Sequence, residues 1–206
     1  FGIAGIVTNF GLDFVLIRKI PEYKNSMVSM VSNVIEHTKK QVNTNTILII
    51  SIIIPISYFS PYYFEGASQY NFELMAIVFA LPFAAYLMIY STSIRAYEFP
   101  LTGQFIESIL QTAILLLVIY FGFIVFSDSI PKELLTLYLV VFFVFSWVIS
   151  CLISNKIFSK HIKLSNSIEP SENYTKTWRK DSATIMLGVL GWSFLGRSDV
   201  FLLGFL

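Results

Sequence analysis

Runs of mostly apolar residues about twenty long, the length a helix needs to cross the roughly 30 Å hydrocarbon core of a bilayer, recur along this chain. No other feature constrains its fold as strongly. Residues 46–64, 72–93, 104–126, 134–155 and 183–206 each form such a run, and 1–18 forms a shortened one. Backbone N–H and C=O groups find no water in hydrocarbon, so a spanning run must satisfy them internally as a helix. The pattern therefore predicts an all-α fold, a polytopic transmembrane helical bundle of about six spans. Composition agrees, with 55% of the 206 residues hydrophobic and only 13% charged, more apolar surface than one water-soluble core can hide. Pro55 and Pro82 fall near the middle of two spans and predict kinks there. The chain opens at Phe1 without a methionine and stops at Leu206 inside an apolar run, so it reads as a fragment of a larger bundle.

The basic residues predict which way the bundle faces, because Lys and Arg are retained on the cytoplasmic side of short loops. Alternate connections carry Arg18, Lys19, Lys24, Lys39 and Lys40, then Arg95, then Lys156, Lys160, Lys163, Lys176, Arg179 and Lys180, against Lys132 alone on the other side. The loops at 65–71 and 127–133 then lie outside, too short to hold a catalytic or receptor domain. The net charge of +1 offers no footprint for nucleic acid. Between Lys24 and Asn45, Met27, Met30, Val31, Val34 and Ile35 share one helical face opposite Ser29, Ser32 and Glu36, which predicts an interfacial helix. A docking surface for a partner enzyme is the functional alternative there. Residues 156–180 mix Ser, Asn, Lys and Glu with Pro170 and read as a flexible cytoplasmic linker.

Several familiar chemistries find no support. His37 and His161 lie in separate loops with no ligand cluster at metal spacing, so no metal centre is expected. Cys151, the only cysteine, lies in an apolar run and reads as a small buried hydrophobe. Gly188, Gly191 and Gly196 are not followed by the Lys-Ser or Lys-Thr of a phosphate loop, and close helix packing explains them better. With no nucleotide site and no cofactor expected, uphill work would draw on an ion gradient or on another protein. Asn173, Tyr174 and Thr175 make a glycosylation triplet, but on the expected cytoplasmic side it is a chance match.

Charges inside the bilayer are costly unless paired or facing a polar cavity, so they carry the functional signal. Arg197 lies about 15 residues into its span, roughly 22 Å from the cytoplasmic end. Asp199, two positions on, points to the opposite side of the helix, so each needs another partner. Arg197 either bonds a neighbouring helix or contacts an anion in a polar cavity. Asp13 lies deep in the first segment, while Arg18 lies near its cytoplasmic boundary, where snorkelling accounts for it. Gln104, Glu107, Ser108 and Gln111 fall within one wedge at α-helical spacing, a polar stripe that lines a cavity or a polar helix contact. Tyr86, Tyr90, Ser93 and Tyr97 share another face, and Tyr86 is deep enough either to pack on a neighbour or to stack on sugars.

Three stretches resemble the polysaccharide and oligosaccharide-lipid flippases of the multidrug, oligosaccharidyl-lipid and polysaccharide exporter superfamily. GLDFVLIRKIPEY at 11–23 is similar to the end of that family's second helix, SIRAYEF at 93–99 to its Arg-bearing turn between the fourth and fifth, and GRSDVFLLGFL at 196–206 to its seventh. Glu98 and Phe99 stand where the pattern has a second basic residue. The resemblance implies a two-lobed transporter of twelve or more helices. Residues 1–155 would form a truncated first lobe, 156–182 a cytoplasmic linker and 183–206 the truncated first helix of the second lobe. By alternating access it would move oligosaccharide units linked by pyrophosphate to a polyprenol across the bacterial cytoplasmic membrane for surface polysaccharide, such as lipopolysaccharide or capsule. That is transport, not enzymatic bond-making. Arg18 and Arg197 would bind pyrophosphate or acidic sugars, with Gln104, Gln111 and Tyr86 as further substrate contacts. Asp13, Glu107 and Asp199 would be counter-charges or ion-coupling sites. Partners would be the lipid-linked oligosaccharide, the bilayer, and a polysaccharide polymerase and chain-length regulator.

Other readings stay open. A cation-coupled drug exporter of the same superfamily would share the fold, with a more acidic cavity. Half of a major-facilitator transporter also has six spans, but its short basic turn after the second helix is missing here. A membrane-embedded glycan polymerase or glycosyltransferase needs a large outer loop, and a plain membrane anchor has no use for intramembrane charges.

Overall fold

The computed structural model describes residues 8–24, 28–63, 71–126, 135–162 and 172–195. They form α1 (Leu12–Lys24), α2 (Val28–Tyr63), α3 (Asn71–Ala96), α4 (Pro100–Gln104), a π-helical segment (Phe105–Leu110) continuing into α5 (Gln111–Phe126), then α6 (Leu135–His161) and α7 (Glu172–Leu195). No strand occurs among the described residues, so the fold is the all-α bundle that hydropathy predicts.

Four helices are long and apolar enough to cross a membrane: Ser29–Phe59, Val78–Ala96, Pro100–Gly122 and Leu137–His161. This is a membrane protein. The count is four among the described residues where about six were expected, and the two others, 1–18 and 183–206, lie partly outside them. Side chains such as Ile47, Leu48, Ile52, Ile56, Leu116, Leu117 and Phe121 stand more than half exposed. A water-soluble surface does not carry apolar patches on that scale, but lipid accepts them. Pro55 and Pro82 both lie inside continuous helices.

The structure corrects the sequence reading at two places. The interfacial helix expected between Lys24 and Asn45 is not a separate element. From Val28 it runs without interruption into the span that begins near residue 46, making one helix of 36 residues, about 54 Å long at 1.5 Å per residue. No Gly or Pro occurs between Val28 and Ile54 to end it. Its apolar face of Met30, Val31, Val34 and Ile35 is buried in the core rather than laid on a membrane surface. The first expected span, in turn, is interrupted. Thr8 and Asn9 are helical, Phe10 and Gly11 adopt left-handed φ of 51° and 68°, and α1 restarts at Leu12.

At the centre stands α3, which packs against α1, α2, α4 and, most extensively, α6. Small residues permit the α3–α6 approach. Ser146, Ser150 and Ser154 recur every four residues on α6, each fully buried, and face the same way. Each hydroxyl donates to a carbonyl of its own helix, Phe143, Ser146 and Ser150 in turn, at 2.7 Å, so these three buried hydroxyls are satisfied without a partner from another helix. On α3 the buried run Ser91, Thr92 and Ser93 is similarly small.

Lys24, Arg95, Lys156 and Lys160 gather where α1, α3 and α6 end, here called the basic end. There α3 turns into α4 through Tyr97–Phe99, with Glu98 at a left-handed φ of 82° and Pro100 opening α4. An ion pair between Lys24 and Glu98 holds that corner to α1, and the Lys24 ammonium also sits 4.7 Å over the Tyr97 ring.

Candidate functional site

The break at Phe10–Gly11 frees backbone groups that a continuous helix would pair, and polar side chains of other helices gather around it. Asn45 of α2 donates from Nδ2 to the Thr8 carbonyl at 3.2 Å, while its own Oδ1 accepts from Gln41 Nε2 at 3.1 Å. Asn9, buried, donates to the Met88 sulfur of α3 at 2.9 Å. Two positions earlier on α2 than Asn45, Asn43 Oδ1 accepts from the Tyr86 hydroxyl at 2.8 Å, and the Tyr86 ring lies 6.0 Å from that of Tyr90. The Lys39 ammonium rests 5.2 Å from the centroid of Tyr90 and 5.1 Å from that of Phe158 on α6. A belt of amides, phenols and one ammonium thus runs between α2 and α3, with Asn45 tying it to the interrupted helix.

Beside this belt lies a cluster of charge. Arg95 Nη2 of α3 sits 2.8 Å from Glu107 Oε2, and donates to Thr92 Oγ1 at 3.2 Å. The Glu107 contact is an ion pair off the angle of a hydrogen bond, and Arg95 Nε has no hydrogen-bond partner among the described residues. Asp13, in the first turn of α1, accepts from its own and the Phe14 backbone N–H and lies within electrostatic reach of both Arg95 and Glu107. The helix dipole also favours a carboxylate at that position. Arg95 and Glu107 thus pair across two segments, and Asp13 feels both charges without an ion pair to either among the described residues. With side chains 28% and 34% exposed, Arg95 and Glu107 are neither free in solvent nor sealed away.

Glu107 reaches Arg95 from the π-helical segment Phe105–Leu110. Bonding of the i→i+5 type widens the turn and shifts the phase of every residue after it, and such turns are frequent at functional sites. The polar stripe read at α-helical spacing is consequently divided. Glu107 and Gln111 are half-buried on the inner side, while Gln104 and Ser108 are exposed.

The remaining candidates fare differently. Tyr86 belongs to the belt. Arg18 stands exposed on α1, whose buried face is Leu12, Val15, Leu16, Ile20 and Tyr23. Arg197 and Asp199 lie outside the described residues. No group of three or more His, Cys, Asp or Glu suited to a metal occurs among the described residues. The pairing of Arg95 with Glu107 and the inward reach of Lys39 escaped sequence reading. Arg95 was assigned to a turn and Lys39 to an interfacial helix, and the unbroken run of helix-compatible residues after Val28 was the available signal.

The helix after the linker docks on the same region. A Cβ on Gly11 would lie 2.7 Å from the Ser182 carbonyl oxygen and 3.0 Å from Met186 N, so α7 passes close against the break in the first segment. Fully buried Trp178 anchors this contact, its ring 6.4 Å from Tyr23, 5.5 Å from His37 and 6.2 Å from Tyr174.

Comparison with protein-family models, with curated proteins and with solved structures found no match to this chain.

Proposed function

We propose that this protein is a transporter that moves polyprenyl-pyrophosphate-linked oligosaccharide units across the bacterial cytoplasmic membrane for surface polysaccharide synthesis. The observation that carries the transport reading is the Arg95–Glu107 ion pair, with Asp13 within its electrostatic reach on the helix that restarts after the break at Phe10–Gly11. Ionisable groups are expensive within a bundle, and broken helices with freed backbone groups are how many transporters build substrate and ion sites. A plain anchor needs neither. The choice of substrate rests on the three stretches at 11–23, 93–99 and 196–206 and their likeness to oligosaccharide-lipid flippases.

On this reading Arg18 and Arg197 contact the pyrophosphate or acidic sugars, because guanidinium pairs bidentately with phosphate oxygens. Asp13, Glu107 and Asp199 serve as counter-charges or couple transport to an ion, and Gln104, Gln111 and Tyr86 meet the glycan. The polymerase and the chain-length regulator of the same polysaccharide are the expected protein partners.

A cation-coupled exporter of small molecules is the second reading. It is favoured by the local charge balance, where Glu107 pairs with Arg95 and Asp13 adds a second carboxylate within electrostatic reach.

Deletion of the full-length gene in its own host separates the two. Loss of surface polysaccharide with lipid-linked units accumulating at the inner leaflet supports the flippase. Unchanged polysaccharide with new sensitivity to cationic drugs overturns it in favour of the exporter.

A further inference from the structure

We infer that Lys39, Asn43 and Tyr86 form a headgroup subsite for a phosphate-bearing polyprenyl lipid, with its hydrocarbon chain lying along Ile47. This deepens the transport reading above and rests on it.

The Lys39 ammonium is held on two aromatic faces, Tyr90 and Phe158, from two different helices. Among the described residues no carboxylate lies within ion-pair distance of it. Glu36, the charge that acts on it, is exposed and lies three positions earlier on the same helix. Cation–π contacts fix the position of an ammonium without using its three N–H donors in hydrogen bonds, which leaves a half-buried, positioned cation with room for an anion. Asn43 follows at i+4 on the same face and is exposed. Its Oδ1 is occupied by the Tyr86 hydroxyl, which leaves the Nδ2 hydrogens as donors beside the ammonium. Tyr86 itself is half-buried, so part of its ring offers a surface for a sugar.

Direction along the helix decides the class of ligand. Ile47 comes next at i+4 from Asn43 and is 66% exposed, with Leu48 beside it at 56%, where α2 becomes mostly apolar. Read from the basic end inward, one helix face therefore presents a cation, an amide donor and then exposed hydrocarbon. An amphipathic molecule with a phosphate at one end and an alkyl chain at the other satisfies all three at once. Free inorganic phosphate uses only the first two.

The test uses the full-length protein in detergent, titrated with farnesyl pyrophosphate, with inorganic pyrophosphate and with phosphatidylglycerol vesicles as separate arms. Farnesyl pyrophosphate should bind the wild type, and Lys39→Gln should weaken it about tenfold or more, while Lys39→Arg retains most of the affinity. Tyr86→Phe, which releases Asn43, should weaken it by a smaller factor, and inorganic pyrophosphate should bind far more weakly to every variant. Thermal melting confirms that each variant is folded. Equal affinity of wild type and Lys39→Gln for farnesyl pyrophosphate overturns the subsite and leaves the transport reading standing. Failure of the wild type to bind it overturns the subsite, and the deletion phenotype then decides the transport reading separately. A matching loss for phosphatidylglycerol reassigns the face to bulk phospholipid and overturns the polyprenyl assignment.

Discussion

Gly103 lies directly against Arg95. A Cβ on Gly103 would overlap Arg95 Cγ and come 2.5 Å from the Ser91 carbonyl oxygen. The corner between α3 and α4 is thus built so that the arginine stem fills the space a side chain would take, with the guanidinium directed to Glu107. Gly103→Ala is expected to push Arg95 out of register and destabilise the fold by about 1–3 kcal/mol, the usual cost of overpacking. Thermal melting of the variant in detergent checks this, and an unchanged midpoint would show that the corner relaxes freely.

The Arg95–Glu107 pair is partly exposed, so its contribution falls between that of a surface pair and that of a sealed one. Arg95→Gln leaves the half-buried Glu107 carboxylate without its cation and is expected to cost about 1–3 kcal/mol. Glu107→Gln is expected to cost less, because the guanidinium keeps its hydrogen bond to Thr92 Oγ1. A double-mutant cycle measured by melting should give a coupling energy of about 0.5–3 kcal/mol, and additive losses would mean that the two side chains act independently.

Ser150 sits at the middle of the buried serine series between α3 and α6. Ser150→Ala should leave stability nearly unchanged, because its hydroxyl bonds only its own helix. Ser150→Leu should force the two helices apart at a cost of about 1–3 kcal/mol. Equal melting of the alanine and leucine variants would show that small size at this position is not what brings the helices together.

Asn45 supplies the donor for the Thr8 carbonyl at the interrupted helix. Asn45→Leu leaves that carbonyl without its side-chain partner and is expected to destabilise by about 1–3 kcal/mol. Hydrogen exchange should quicken in the Thr8–Leu16 segment while α6 keeps its protection. Exchange unchanged around Thr8 would mean that the bond does not secure the break.

Trp178 is the anchor by which α7 holds the rest of the bundle. Trp178→Ala removes a fully buried ring and should cost about 3–5 kcal/mol. Its local signature is faster proteolysis near residues 172–182 at temperatures where α3 and α6 remain protected. Global unfolding with no early cleavage of α7 would show instead that this helix is not a separable unit.

Much of this molecule was legible from its residues one helix at a time. Apolar runs of bilayer length dictate helices, because hydrocarbon offers no other way to satisfy the backbone. Asp13 was visible as a charge deep in the first segment, and Glu107 as part of a polar stripe, because polar groups are costly in hydrocarbon. What those charges meet was not legible. Arg95 looks like a residue of a basic turn, and only the crossing of α3 over Gly103, with a π turn that swings Glu107 inward, makes it the counter-charge of Glu107. Tertiary packing likewise decided that the face Met30–Ile35 enters the core, that Lys39 settles on rings from two other helices, and that Asn45 reaches Thr8 across 37 positions. Hydropathy acts residue by residue and is written in the chain, whereas a polar group inside a bundle finds its partner only when distant helices pack, and that geometry has no local code.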